Sequence, residues 1–290
     1  MTKVTIGVPV YNAGSLLREC MENLRTQTYA DFRVVIFDNH STDDTEQIAL
    51  HYAALDARFS YHRHATNIGA WPNFAALLNA CQTDYFLWRA YDDYTDPNYL
   101  EELVCLLNEN PDADLAVGNI CTIKVGRKRK IRNARAPSGP RHGLLAAHNF
   151  IKGARAAWIY GIWRTKVMQE RWAEVAAIYN HSWGGDFMLM FATLYRGKVA
   201  GSARTTFYQR VLQHEWKSQD ESLAAKISAV VKYRDDAQRF MSLKAPEFCK
   251  TWIETQLYRH LAHWYVNRRI YPWRKLRRLQ ARVPDPSQRV

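Results

Sequence analysis

Over the first part of the chain, to about residue 124, short runs of β-branched and aromatic residues alternate with stretches of helical spacing. That alternation is the pattern of a parallel sheet covered by helices. The runs predict strands at Val4 to Val8, Arg33 to Phe37, Phe59 to His62, Tyr85 to Trp88 and Leu115 to Ile123. Helix starts are signalled by Ser41 with Asp44 three residues on, by Pro72 near a first turn, and by Pro97 ahead of Tyr99-Leu100-Glu101-Glu102.

From Lys124 to Arg135 the pattern stops, and seven basic residues with no acid are followed by Pro137, Gly139 and Pro140, which predicts a mobile loop. Beyond His142 the spacing predicts helices near Gly143 to Lys152, Thr165 to Tyr179 and Gly185 to Tyr195, then a strand near Val199 to Tyr208. Past Ser218 the chain reads as mainly helical. The expected organisation is an α/β domain over 1–218, with a nucleotide-binding half (1–124) and an acceptor half (125–218), and a helical extension over 219–290.

Composition narrows the partners. The chain has 290 residues, 47% of them hydrophobic, enough for a buried core. Its net charge of +12 favours anionic partners such as nucleotide phosphates, nucleic acid or an acidic membrane surface. The stretch Trp264 to Arg282 joins aromatic and aliphatic residues to seven Arg or Lys, the composition of a helix lying on an anionic membrane face. Five cysteines without a close pair argue against a disulfide framework or zinc site and suit a reducing cytoplasm. No run has the length of a spanning helix or a signal sequence, so the expectation is a cytoplasmic protein, soluble or peripheral on the inner membrane face.

Ligands of open α/β sheets gather at the carboxyl ends of the strands, so the residues just after each strand are the candidates. Tyr11 and Asn12 follow the first strand after Pro9, and Asp38-Asn39-His40-Ser41 follows the second. The third is followed by Asn67-Ile68-Gly69 with Asn73, and the fourth by Asp92-Asp93. Two adjacent carboxylates at such an edge repel each other unless a cation lies between them and a phosphate, which is how Mg²⁺ or Mn²⁺ is commonly held; the same pair also suits a turn and helix cap ahead of Pro97. Asp38 could accept from the imide N–H of a uracil-like base or cap the next helix with Ser41. Asn67 and Asn73 could contact a phosphate or sugar or serve an ordinary turn. In Gly184-Gly185-Asp186 the carboxylate could act as a base or as an N-cap. His214 is a further metal or diphosphate candidate.

In order and spacing these segments resemble the family 2 glycosyltransferases of GT-A fold. Val8-Pro9-Val10-Tyr11-Asn12, Phe37-Asp38-Asn39-His40-Ser41-Thr42-Asp43-Asp44-Thr45, Asn67-Ile68-Gly69-Ala70 with Asn73-Phe74, and Trp88-Arg89-Ala90-Tyr91-Asp92-Asp93 carry the resemblance. It continues through Tyr160-Gly161-Ile162-Trp163-Arg164 and Gly185-Asp186-Phe187-Met188-Leu189. The resemblance implies an inverting, non-processive transfer from a nucleotide diphosphate sugar, UDP being the first guess, to a hydroxyl of a glycan or polyprenyl-linked acceptor in cell-surface polysaccharide synthesis. Asp38 would then read the base, Asp92 would bind Mg²⁺ or Mn²⁺, and Asp186 would deprotonate the acceptor. Two positions depart from the family pattern: Ala90 replaces the first Asp of Asp-x-Asp, and Gly185 replaces the Glu before the catalytic Asp. An inactive nucleotide- or glycan-binding relative is the alternative. Acidic loops at the sheet edge speak against a nucleic-acid partner.

Overall fold

The computed structural model describes residues 3–124, 131–134, 156–179 and 184–211, with scattered positions in 143–149 and 228–240. The chain forms two compact units, Met1–Glu215 and Trp216–Val290. His214, the basic stretch Trp264 to Arg282 and most of the predicted helix over 143–152 lie outside the described residues.

The first unit is built on one nine-stranded mixed sheet with helices packed on it. In chain order its elements are β1 (Val4–Val10), α1 (Gly14–Arg25), β2 (Phe32–Asp38), α2 (Thr45–Leu55), β3 (Phe59–Arg63), α3 (Ala70–Asn79), β4 (Tyr85–Trp88), β5 (Tyr94–Thr95), α4 (Tyr99–Glu109), β6 (Leu115–Lys124) and β7 (Ile131–Ala134). A 3₁₀ helix (Ala156–Tyr160), β8 (Ile162–Arg164), α5 (Thr165–Ala176), α6 (Gly185–Arg196) and β9 (Val199–Val211) follow. The apolar spacing does what it predicts: α1 buries Leu17, Cys20, Met21 and Leu24, and α4 buries Leu100, Leu103, Val104 and Leu107 against the sheet.

The strand order is β3-β2-β1-β4-β8-β6-β9-β5, with β7 on β6. Only β3, β2, β1 and β4 make the parallel array expected from the sequence. Strand β6 is not their next parallel neighbour. The three-residue β8 stands between β4 and β6 and runs antiparallel to both, so the sheet is mixed. The basic segment predicted as a loop also contains structure, since Ile131–Ala134 pairs antiparallel with β6.

Helix starts differ from the sequence reading in how they are capped. Helix α2 begins at Thr45, whose N–H is taken by Asp43, and Ser41 makes no cap to it. Helix α1 carries no local cap. Instead, Thr45 Oγ1 receives the N–H groups of Ala13 and Gly14 at 2.8 and 3.3 Å, from 32 and 31 residues away. The starts of α1 and α2 therefore hold each other in place. Among the described residues no helix is long and apolar enough to cross a membrane.

Candidate active site at the strand ends

The loops after β1, β2 and β3 are tied together by short polar side chains. Asn12 has the positive φ of 49° that Asn tolerates better than most residues. Its N–H donates to Ser41 Oγ at 2.9 Å, and its Oδ1 accepts the Thr42 N–H at 2.9 Å. Asp38 is fully buried. One carboxylate oxygen accepts the N–H and hydroxyl of Ser41 at 2.9 and 2.5 Å, and the other accepts the Tyr61 hydroxyl at 2.7 Å, with Arg63 at 3.9 Å. Asp38 thus builds the loop that borders the site, its oxygens already engaged.

Its neighbour Asn39 bridges to the next loop, donating to Asn67 Oδ1 at 2.7 Å and accepting the Ile68 N–H at 2.8 Å. Asn67 also accepts the Gly69 N–H, and Gly69 takes the positive φ of 89° that glycine permits. Asn73 is buried, its amide committed to the Phe37 carbonyl and to His64. Pro9 is buried within β1, in register with Phe37. Tyr11 at the end of β1 is 45% exposed, a flat ring presented at the sheet edge.

The tandem carboxylates after β4 part company. Asp92 stays partly exposed on the turn. Asp93 is buried and accepts the backbone N–H of Arg210 in β9 at 2.8 Å. Burial pushes the Asp93 carboxyl up to about 8, and Asp92 beside it adds to the rise. The pair is therefore one edge carboxylate and one that anchors β9, and neither caps α4, which starts at Tyr99 behind Asn98. Arg89, fully buried, supplies positive charge near Asp93. Its guanidinium donates to Thr95 Oγ1 at 3.1 Å and Asn23 Oδ1 at 3.4 Å and lies over the rings of Tyr99 and Phe207.

Asp186 sits in the first turn of α6, after Gly184 in the left-handed conformation (φ 77°). Its Oδ1 accepts the Phe187 N–H at 2.8 Å. It is thus an acceptor for first-turn N–H groups and a candidate base at once. Burial raises its carboxyl above the ordinary value, against the pull of the N–H groups of Phe187 and of Asp186 itself. Gly185 has no room for a side chain: a Cβ there would lie 2.2 Å from Trp71 Cζ3. Trp71 stacks on Trp172 at 4.0 Å, and Trp172 packs on Trp88 at 5.1 Å. An indole from α3 thus fills the place next to Asp186.

Burial holds the Tyr160 phenol well above its ordinary value, and the negative charges of Asp93, Asp186 and Asp92 add to the rise. Tyr61, Asn39, Arg89, Trp71 and Tyr160 were given no role by the sequence reading. Asn39, Arg89 and Tyr160 lie inside segments that carried the resemblance, whereas Tyr61 and Trp71 had no local signal.

Among the described residues no group of three or more metal-ligating side chains gathers. A hard divalent ion at this edge would take Asp92 and diphosphate oxygens, because Mg²⁺ commonly uses only one or two protein carboxylates beside phosphate.

A mixed α/β sheet with polar strand-end loops, an edge carboxylate after β4 and a second acid at a helix N-terminus has the architecture of the GT-A glycosyltransferases. S. aureus TarS (residues 1–349) superposes with a TM-score of 0.70 at 17% identity, covering 96% of this chain and 78% of that one. A mannosyltransferase from Pyrobaculum calidifontis gives 0.57 at 18% identity, covering 96% and 79%. The glycosyl transferase family 2 model matches residues 5–190, and the chain belongs to that family. Among curated relatives, the glycosyltransferase GlyA of Streptococcus pneumoniae is 33% identical over 117 residues, 40% of this chain and 16% of the relative. GlyG of the same organism is 28% identical over 116 residues, 40% of this chain and 38% of the relative. The match thus spans well under half the length of either relative.

Proposed function

We infer that the chain transfers a sugar from a nucleotide diphosphate donor to a hydroxyl of a glycan or lipid-linked glycan, with inversion at the anomeric carbon. The observation that carries this reading is a family 2 fold whose polar loops gather at the strand ends, with Asp92 on the turn after β4 and Asp186 in the first turn of α6. The nucleotide would lie along the loops after β1, β2 and β3. Tyr11 offers a face for the base, while Asp38 bonded to Ser41, Asn12 bonded to Thr42, and Asn39 bonded to Asn67 shape that border. Asp92 would hold Mg²⁺ or Mn²⁺, which supplies positive charge for the leaving diphosphate. Asp186 would take the proton of the attacking hydroxyl.

Structures of TarS with UDP and with UDP-GlcNAc, and of the Pyrobaculum enzyme with GDP-Man and Mn²⁺, support a nucleotide sugar and make these the first probes. The basic C-terminal segment supports a peripheral site of action on an anionic membrane face, where a polyprenyl-linked acceptor and cell-surface polysaccharide synthesis would place the enzyme.

Calorimetry with UDP, GDP, dTDP and CDP, each with Mn²⁺ and with chelator, tests this reading. One nucleotide should bind in a metal-dependent way. Asp92→Ala should weaken that binding at least about tenfold, since even changes behind metal ligands cost 10–100-fold. Binding of none of the four would sink the reading.

A further inference from the structure

Arg89 is the first residue past β4, and its backbone N–H still donates to the Gly7 carbonyl of β1 at 2.9 Å. Ala90 to Tyr94 separate it from Thr95 and carry the acidic turn. Within them the Asp93 N–H donates to the Ala90 carbonyl at 3.2 Å, closing a turn with Asp92 at its third position. The Arg89 guanidinium reaches across the foot of this turn. One amino group donates to Thr95 Oγ1 at 3.1 Å and the other to Asn23 Oδ1 at 3.4 Å. Asn23, from α1, also holds the Thr95 backbone, accepting its N–H at 2.9 Å and donating to its carbonyl at 2.8 Å. Cys20, one helical turn earlier, donates from Sγ to the Ala90 carbonyl at 3.7 Å. The two feet of the turn are thereby tied to each other and to α1.

Stability does not account for a cation in this place. The side chain is fully buried, its Nε–H has no hydrogen-bond partner among the described residues, and the oxygens it bonds belong to a neutral hydroxyl and a neutral amide. A buried charge held by neutral groups costs more than an apolar side chain of similar volume. The rings of Tyr99 and Phe207, 5.9 and 5.6 Å from the guanidinium carbon, offset part of that cost. What an apolar residue could not make is the bond across the turn.

We propose that Arg89 is a positioning residue: by joining the two feet of the turn it fixes where Asp92 stands, and so sets how tightly Asp92 and a nucleotide diphosphate together take a divalent cation. The inference rests on the functional reading above. Ala90 brings no carboxylate to the turn, and Asp93 is turned inward to the Arg210 N–H, so the partly exposed Asp92 is the carboxylate that the turn presents. A single ligand side chain gains most from being held in place before the ion arrives, because no ordering is then left to oppose binding.

Arg89→Met keeps an apolar stem beside the Tyr99 and Phe207 rings and removes the crossing bond. Thr95→Val removes the same bond from its other end with the cation left in place, and Thr95→Ser keeps the hydroxyl that accepts it. Calorimetry with UDP, GDP, dTDP and CDP, each in Mn²⁺ and in chelator, would compare the three variants with wild type, alongside thermal melts. Arg89→Met should melt at or above wild type, yet bind the matching nucleotide about tenfold more weakly in Mn²⁺, as expected for a group that holds a metal ligand in place. The affinity that remains in chelator should not change. Thr95→Val should show the same loss in Mn²⁺, and Thr95→Ser none. Full affinity in Mn²⁺ for Arg89→Met or Thr95→Val, an equal loss in Mn²⁺ and in chelator, or a melt of Arg89→Met well below wild type would overturn the positioning role while leaving the functional reading standing. A wild type that binds none of the four nucleotides would overturn both.

Discussion

Asp186→Asn should lower the transfer rate by about 10²–10⁴-fold, the range removed with a general base, while leaving nucleotide binding intact. Asn keeps an oxygen for the Phe187 N–H that Asp186 accepts, so the first turn of α6 remains capped. What it lacks is the ability to take a proton. The pH profile separates this role from a structural one. Since burial raises the Asp186 carboxyl, the wild-type rate should fall on the acid side at a higher pH than an ordinary carboxylate would give, and the residual rate of the variant should lack that limb. Stability has the opposite sign. A carboxyl raised in the folded state favours folding while protonated, and this contribution is lost as pH rises through the folded value. The variant should therefore be at least as stable as wild type at neutral pH. A variant with full activity, or one lost only through unfolding, would sink the assignment.

Gly185→Glu should destabilise the protein by about 1–3 kcal/mol, the cost of forcing atoms into packed space. The new Cβ would meet Trp71 at 2.2 Å, and Trp71 is backed by Trp172 at 4.0 Å, so the indole has little freedom to retreat. Removing the indole should remove the clash. In denaturant melts of wild type, both single variants and the double variant Trp71→Ala/Gly185→Glu, the Glu should cost much less where the indole is already gone. Additive costs would show that the two positions are not coupled. Gly185 thus leaves room for an indole on a helix more than a hundred residues earlier.

Trp71 and Gly185 also mark where sequence reading stops. A glycine beside a candidate base reads as backbone freedom, and nothing local names the ring that excludes a side chain. The donor-side strands were legible because each buried run is long enough to show its period: β4 was expected at Tyr85 to Trp88 and lies there, and β1 extends only two residues past Val8. Strands β5 and β8, of two and three residues, are too short to carry a pattern, and β8 is what turns the parallel array into a mixed sheet. The start of α1 was illegible for another reason, because its cap is the threonine that opens the next helix. At the site, Asp92 and Asp93 are alike in sequence. Which one turns inward is decided by the Arg210 N–H of β9, 117 residues on.

The place of β8 and β9 in the sheet has a consequence for how the enzyme is born. Strand β6 is flanked by β8 and β9, made of residues 162–164 and 199–211. At synthesis rates of about 5–20 residues per second, several seconds separate the emergence of β6 from that of β9. Throughout that interval a nascent chain carries β1 to β4 and the loops that would border a nucleotide, yet Asp93 has no Arg210 N–H to accept and the edge of β6 that β9 will cover stays open. The acidic edge of the site is completed last, from the ribosome's side of the domain.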